Sequence, residues 1–524
     1  MASPVPILVL LAVGATVVLS EKPPNVILIV ADDLGWNDVS FHGYTQIPTP
    51  NIDRLAATGM VLNSHYSQSL CTPSRTALLT GKYPTRLGMQ SGVLGPGNRR
   101  GIPLKEKLLP QYFKELGYAT HMVGKWHVGY AAPELTPTHR GFDSYFGYYN
   151  GYIDYFTHDM NTSAEPFSNG FDLWDGFIPA TNCKGQYLTD IFTDRAMQRI
   201  SQHNFDKPLF LYLAHMAPHW ANEHDPVQTT DEYINRFPHI HHEGRQKYAG
   251  TLAALDDSVG KIMDALHHEK ADNNTIVIFL ADNGGTGQEH YLQEGAQATH
   301  GSNWPLRGTK NTWFEGGVRT VGIVWSRLLQ HPGTVWNGLM HLTDWLPTLM
   351  TATGGMPVRN VDGVDQWKSL VEAAPSMRNE LLMQADAIWD QYALRWYQYK
   401  LLVKENPITG YNADRWYVPV DGIIPDYVNA SLPAAVHCAP PQSTERPCHL
   451  GEAPCLFDLE ADPCERDNVA ADYPDVVKLM LEKLLAYNAT ALHSPPQPED
   501  PLGLPSLHGG LIQPWLTLSD LPNS

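Results

Sequence analysis

The chain has 524 residues and carries 55 Asp+Glu against 36 Lys+Arg, a formal charge of −19. That balance excludes nucleic acid as the main partner, because phosphate recognition needs a basic face. With 43% hydrophobic and only 17% charged residues, a disordered chain is excluded too, and the length fits two domains or more.

The first apolar segment, residues 6–19, ends in Ser20 just before Glu21-Lys22-Pro23-Pro24. It is too short to span a bilayer and reads as the core of a signal peptide over residues 1–20. Its removal is expected to leave no membrane anchor, in a protein of the secretory pathway that is secreted or lysosomal. N-x-[ST] sequons at Asn161, Asn273, Asn429 and Asn488 fit that compartment.

Beyond it, strand-length apolar runs at residues 26–30, 119–123, 209–214, 275–281 and 320–325 alternate with helical patterns at about 50–58, 73–80, 108–116, 245–267 and 342–353. Nearly continuous apolar strands separated by helices predict an α/β fold: a large, mostly parallel or mixed sheet sandwiched by helices. After residue 375 come Tyr- and Trp-rich segments (388–403), a Pro- and Cys-rich stretch (432–464) and one amphipathic helix (474–487). This predicts a catalytic domain over 21–375 and a smaller C-terminal α+β domain over 376–524. The Pro-rich tail from Pro495 is expected to wrap the surface or fray.

Cys438, Cys448, Cys455 and Cys464 crowd together and read as two short disulfide loops of an oxidising compartment, with a zinc site as the rival; spacing does not give their pairing. Cys71 and Cys183 stand apart.

In an open parallel sheet, ligands bind outside the carboxyl ends of the strands. There the sequence sets Asp32-Asp33, Gly124-Lys125-Trp126-His127, His215 with His219, and Asp282-Asn283-Gly284-Gly285. Asp32, Asp33, Asp282 and Asn283 make an all-oxygen donor set suited to a hard divalent cation. Lys125 and His127, two residues apart, are able to face a developing anion together. Cys71 precedes a short helix with Pro73 at its first position and Gly81 past its end, and Arg75 follows one turn on. A thiol at such a helix N-terminus is expected to have a lowered pKa. The aromatic stretch from Phe142 to Phe156 reads as core packing rather than a sugar platform. His239, His241 and His242 read as a solvated loop.

Cys71-Thr72-Pro73-Ser74-Arg75 with Leu79-Thr80-Gly81 resembles the C-x-P-S-R…L-T-G signature of the type I sulfatases. The resemblance runs from about residue 24 to about 490 and is strongest to their arylsulfatase B branch, carried by residues 31–43, 120–129, 137–148, 302–319 and 341–349. It implies an alkaline-phosphatase-like fold. It also implies Cys71 oxidised to Cα-formylglycine by the formylglycine-generating enzyme, and one Ca²⁺ per chain held by Asp32, Asp33, Asp282, Asn283 and residue 71. Arg75, Lys125, His127, His219 and Lys310 match the family's residues around the nucleophile and the sulfate. His219 is preferred to His215 and His224 by the family's spacing from Ala214.

The implied activity is hydrolysis of a sulfate ester through a formylglycine hydrate and a covalent sulfo-enzyme. Asp282 is the expected base for attack, His219 or Lys310 the proton donor to the leaving alcohol, and His127 the base for the second hydroxyl. The implied substrate is a sulfated sugar such as N-acetylgalactosamine 4-sulfate; the alternative is a small sulfated metabolite such as a glucosinolate. A phosphohydrolase and a silent sulfated-glycan binder are disfavoured by Cys71 in its full motif and by the presence of all ten site residues.

Overall fold

The computed structural model describes residues 22–161, 166–287, 298–404, 415–418, 434–438, 442–495 and 497–521. The signal-peptide reading of residues 1–20 and the sequon at Asn429 lie outside the described residues. Asn161 and Asn273 are exposed and Asn488 is half-buried. Among the described residues no helix is long and apolar enough to cross a membrane.

Ten strands form the main sheet: β1 (Asn25–Ala31), β2 (Met60–Leu62), β3 (Ala119–Lys125), β4 (Ser144–Tyr148), β5 (Trp174–Asp175), β6 (Ile178–Pro179), β7 (Leu209–Ala214), β8 (Thr275–Ala281), β9 (Gly322–Ser326) and β10 (Thr334–Trp336). Their order is β10-β2-β9-β8-β1-β7-β3-β4-β5-β6. The central block β8-β1-β7-β3-β4 is parallel, and β9 and β5 run antiparallel to its two edges. The strand expected at 320–325 is therefore present as β9 but reversed. A parallel crossover must carry the chain back along the sheet, whereas β9 starts beside the residue where β8 ends, with Leu280 opposite Gly322.

The helices used below are α1 (Pro50–Thr58), α2 (Cys71–Thr80), α3 (Leu109–Glu115), α4 (Leu188–Ser201), α5 (Glu243–His268), α6 (Trp345–Ala352) and α7 (Pro474–Asn488). Every residue of β1 is buried. Ile27, Ile29 and Ala31 pack with α1, α4 and α5, and Val26, Leu28 and Val30 with α2, α3 and α6. Burial on both faces is why the strand sequence shows no polar alternation.

The second, antiparallel sheet comprises β11 (Glu380–Asp386), β12 (Gln391–Trp396), β13 (Tyr399–Leu402) and β14 (Cys455–Asp458). Met480 and Leu484 of α7 pack on Leu382, Leu394, Leu401 and Leu456. Two disulfides, Cys438–Cys464 and Cys448–Cys455, close loops here, so the zinc rival falls. Lys400 of β13 joins the second sheet to the main body: its Nζ lies 2.9 Å from Glu315 Oε1 and 2.8 Å from Glu465 Oε1. The tail wraps rather than frays: Ile512 N donates to Phe171 O at 3.0 Å and Leu516 N to Ala131 O at 2.8 Å.

Candidate active site

Register builds the site. Ala31 of β1 pairs with Ala281 of β8, Val30 with Ala214 of β7, and Ala214 with Gly124 of β3. The residues following these pairs, Asp32, Asp282, His215 and Lys125, therefore emerge at one rim. Gly124, at φ +108°, is a required glycine, because a Cβ there would overlap the Ala214 carbonyl.

All ten expected site residues are buried, none more than 4% exposed. Buried charge must be matched, and here three carboxylates meet three cations. Arg75 NH2 lies 2.8 Å from Asp282 Oδ2 and 3.6 Å from Asp32 Oδ2. Lys125 Nζ caps Asp32 Oδ2. Lys310 Nζ lies 2.7 Å from Asp33 Oδ1 and 2.8 Å from Asp33 Oδ2. Burial pushes Asp32 and Asp33 up, but Lys125 and Lys310 respectively, each helped by His219, hold both below the usual carboxylate range. Burial and the Asp32 carboxylate push Asp282 up, against the pull of Arg75.

Cys71 stands in the first turn of α2, its Sγ donating to Asp32 Oδ1 at 3.5 Å. The helix begins at Cys71, so Pro73 is its third residue rather than its first; Gly81 ends it at φ +66° as expected. The expectation of a lowered thiol pKa is corrected. Burial pushes the Cys71 thiol up to about 12, with Asp32 and Asp282 acting in the same direction, against Lys125 and Lys310. Desolvation of a thiolate among carboxylates outweighs the helix terminus.

His219 Nδ1 lies 2.7 Å from the Trp220 carbonyl, which fixes the proton there. Its Nε2 is then a lone pair, 3.1 Å from Lys310 Nζ. Burial and Lys310 hold its pKa below the ordinary histidine value. His127, at φ +55°, turns Nε2 to Leu94 O at 3.2 Å, while its buried Nδ1 has no partner among the described residues. Gly151 packs against its ring, where a Cβ would come within 2.8 Å of Cε1. Thr72 Oγ1 ties the two elements together, donating to His127 O at 3.0 Å and accepting from Leu94 N at 3.2 Å.

The other histidines separate cleanly. His215 is a core residue whose Nε2 meets Ser258 Oγ of α5 at 2.9 Å, its pKa lowered by burial to about 3. His224 and its neighbour Glu223 are exposed. His239 and His241 lie exposed, and His242 caps α5 by accepting from Arg245 N. Of the aromatic stretch, Phe142, Tyr145, Phe146, Tyr148, Tyr149 and Tyr155 are core. Tyr152 is half-buried, and its ring stacks on His219 at 6.0 Å.

The donor chemistry fits a hard cation. Asp32, Asp33, Cys71 and His219 offer ligand atoms all within 4.8 Å of one another. Asn283 Nδ2 donates to Asp33 Oδ1 at 2.7 Å, which leaves Asn283 Oδ1 a buried carbonyl oxygen with no partner among the described residues. An orphaned oxygen beside two carboxylates suits Ca²⁺ better than zinc. His219 is the odd member of the compact group, and its Nε2 is already engaged by Lys310.

Sequence reasoning found no role for Thr72 and Leu94, which hold His127, or for Tyr152. Their contacts span 22 to 67 residues, and only the aromatic run flagged one of them.

A family model described as "Sulfatase" matches residues 24–356. Arylsulfatase J of Mus musculus is 37% identical over 514 residues, covering 94% of this chain and 80% of that protein. Arylsulfatase A of Homo sapiens is 31% identical over 522 residues, covering 92% and 90%. Among solved structures, Ps i-CgsB in complex with k-i-k-neocarrahexaose has a TM-score of 0.72 at 26% identity, covering 92% of this chain and 96% of that one.

Proposed function

The chain belongs to the sulfatase family and is a sulfuric ester hydrolase, and on that premise we propose that it removes sulfate from a sugar, N-acetylgalactosamine 4-sulfate foremost. N-acetylgalactosamine-6-sulfatase of Mus musculus, 34% identical over 374 residues, and the carrahexaose complex support a saccharide substrate. The observation that carries the reading is Cys71 in the first turn of α2, hydrogen-bonded to Asp32 inside a cluster of matched buried charges.

Ca²⁺ and formylglycine, which the family uses, would supply charge stabilisation on the sulfate oxygens and two hydroxyls on one carbon at position 71. Asp32, Asp33, Asp282, Asn283 and residue 71 would hold the ion. The chain's own residues then divide the remaining work. Arg75, Lys125 and Lys310 stabilise the charge that gathers on the sulfate oxygens as the ester bond to the alcohol breaks. Asp282, its carboxyl raised by burial, takes the proton of the attacking hydroxyl. Lys310 Nζ gives the proton to the leaving alcohol, because neutral His219 turns its own N–H to Trp220 and accepts from Lys310. His127 Nδ1 would accept the second hydroxyl's proton as the C–O bond to sulfate breaks and inorganic sulfate departs.

The same reading takes residues 1–20 as a leader, 21–375 as the catalytic unit and 376–524 as the smaller domain, in a secreted or lysosomal protein matured by the formylglycine-generating enzyme. It is tested by sulfate release over a panel of sulfated saccharides, glucosinolates and an aryl sulfate. The protein would be co-expressed with that enzyme, with Cys71→Ala as control. Release from N-acetylgalactosamine 4-sulfate that Cys71→Ala abolishes supports it; release from glucosinolates alone overturns the sugar assignment.

A further inference from the structure

The ring of His127 is aimed by backbone rather than by a carboxylate. Its Nε2 meets Leu94 O, and Gly151 packs against the ring, so the groups that orient Nδ1 are the segment 94–96 and the turn that follows β4. That turn is in register with the histidine: Lys125 of β3 pairs with Tyr148 of β4, and His127 N donates to Tyr149 O at 3.0 Å. Tyr149, Asn150 and Gly151 therefore leave the sheet beside His127, and whatever fixes them fixes its ring.

Asp172 fixes them. This carboxylate, fully buried just before β5, accepts from four N–H groups: Tyr149 N at 3.0 Å and Trp174 Nε1 at 3.1 Å on Oδ1, and Asn150 N and Asn150 Nδ2, each at 3.0 Å, on Oδ2. All four are donors, so both oxygens must be free of protons, and an amide at 172 would set its own NH₂ against them. Burial pushes the carboxyl up to about 6, against the pull of these donors. Asp32, Asp33 and Asp282 are each matched by a cation, as buried charges ordinarily are, whereas every hydrogen bond that Asp172 accepts comes from a neutral N–H. The network also reaches the other support of the ring: Asn150 Nδ2 lies 3.4 Å from the Tyr130 hydroxyl, which donates to Pro96 O, two residues from Leu94. Asp172 is itself held from the far end of the chain, since Phe171 N donates to Gly510 O at 2.9 Å and Ile512 N to Phe171 O at 3.0 Å.

We propose that Asp172 is the positioning residue for His127: by clamping the 149–151 turn it holds the imidazole where Nδ1 meets the second hydroxyl. This rests on the role given to His127 above. Asp172 then serves the second half of the reaction, in which that hydroxyl loses its proton to Nδ1, the carbonyl of residue 71 re-forms, the C–O bond to sulfate breaks and its electron pair leaves with inorganic sulfate. It does not serve the first half, in which the alcohol departs.

The test uses protein co-expressed with the formylglycine-generating enzyme and an aryl sulfate, so that it does not depend on the sugar assignment. Rapid-quench kinetics follow phenol and sulfate separately, with thermal unfolding alongside. In Asp172→Asn, sulfate release is expected to slow by about 10–100-fold while the first turnover of phenol stays within about twofold, the scale of a misplaced general base. His127→Ala should show the same split, and Asp172→Asn should add less than about twofold to it, because the two act at one step. Should Asp172→Asn fail to fold, Asn150→Ala, which cuts one bond to Asp172 and the contact with Tyr130, carries the same comparison with about a tenfold slowing expected. No slowing, phenol and sulfate slowed equally, or a further loss in the His127→Ala background makes Asp172 a structural residue only and overturns the inference. His127→Ala without the split overturns the role of His127 and the inference with it, leaving sulfate-ester hydrolysis intact.

Discussion

The ammonium of Lys310 clasps both oxygens of Asp33, at 2.7 and 2.8 Å, across 277 residues of chain. The same Nζ lies 3.1 Å from His219 Nε2, so one cation organises a carboxylate and a histidine lone pair at once.

Removing that cation strips the site of a charge and of the proposed proton donor. Lys310→Ala is expected to lower kcat/KM by about 10²–10³-fold on a saccharide sulfate, the scale of a lost transition-state donor. Sulfate-release kinetics within about fivefold of wild type would sink the assignment.

Three carboxylates against three cations make the cluster neutral, and a divalent ion would give it the positive charge that attracts a sulfate ester. Dialysis against a chelator is expected to abolish turnover, and Ca²⁺ to restore it while raising Tm by about 2–5 °C. In Asn283→Leu the orphaned carbonyl oxygen is gone, and that Tm rise should shrink. A chelated protein with full activity and unchanged Tm rules the ion out.

With its thiol pushed up to about 12, unconverted Cys71 is about one part in ten thousand ionised at pH 8. Protein made without the formylglycine-generating enzyme should therefore be inactive and, while folded, resist iodoacetamide at residue 71. Peptide mass mapping that finds the residue alkylated within minutes contradicts this.

Glu465 sits with Glu315 around Lys400, and burial pushes its pKa from an ordinary 4.5 up to about 7. The folded chain thus holds a proton that the unfolded chain releases. The stabilisation is complete below about 4.5 and is lost as pH rises through about 7. Glu465→Gln, uncharged at every pH, should show a smaller drop in Tm between pH 5 and 7.5 than wild type. Parallel Tm profiles for the two proteins would refute the shift.

The strands at 26–30, 209–214 and 275–281 were legible because burial on both faces demands unbroken apolar runs, and the acids and amides after them because strand ends carry the site. The direction of β9 was not, since an apolar run reads the same in either orientation. The C-x-P-S-R motif singled out Cys71, but its place at a helix N-terminus misled about its acidity: Cys71's burial and its nearness to Asp32 and Asp282 follow from how α2 packs over the sheet, and desolvation is a property of that packing. Lys310 lies 277 positions from Asp33 and 91 from His219, no local pattern links the three, and only the tertiary fold brings them together. Local chemistry, then, was written in the order of residues, while which groups share a desolvated space was decided by the tertiary fold, because burial and proximity are sums over the whole chain.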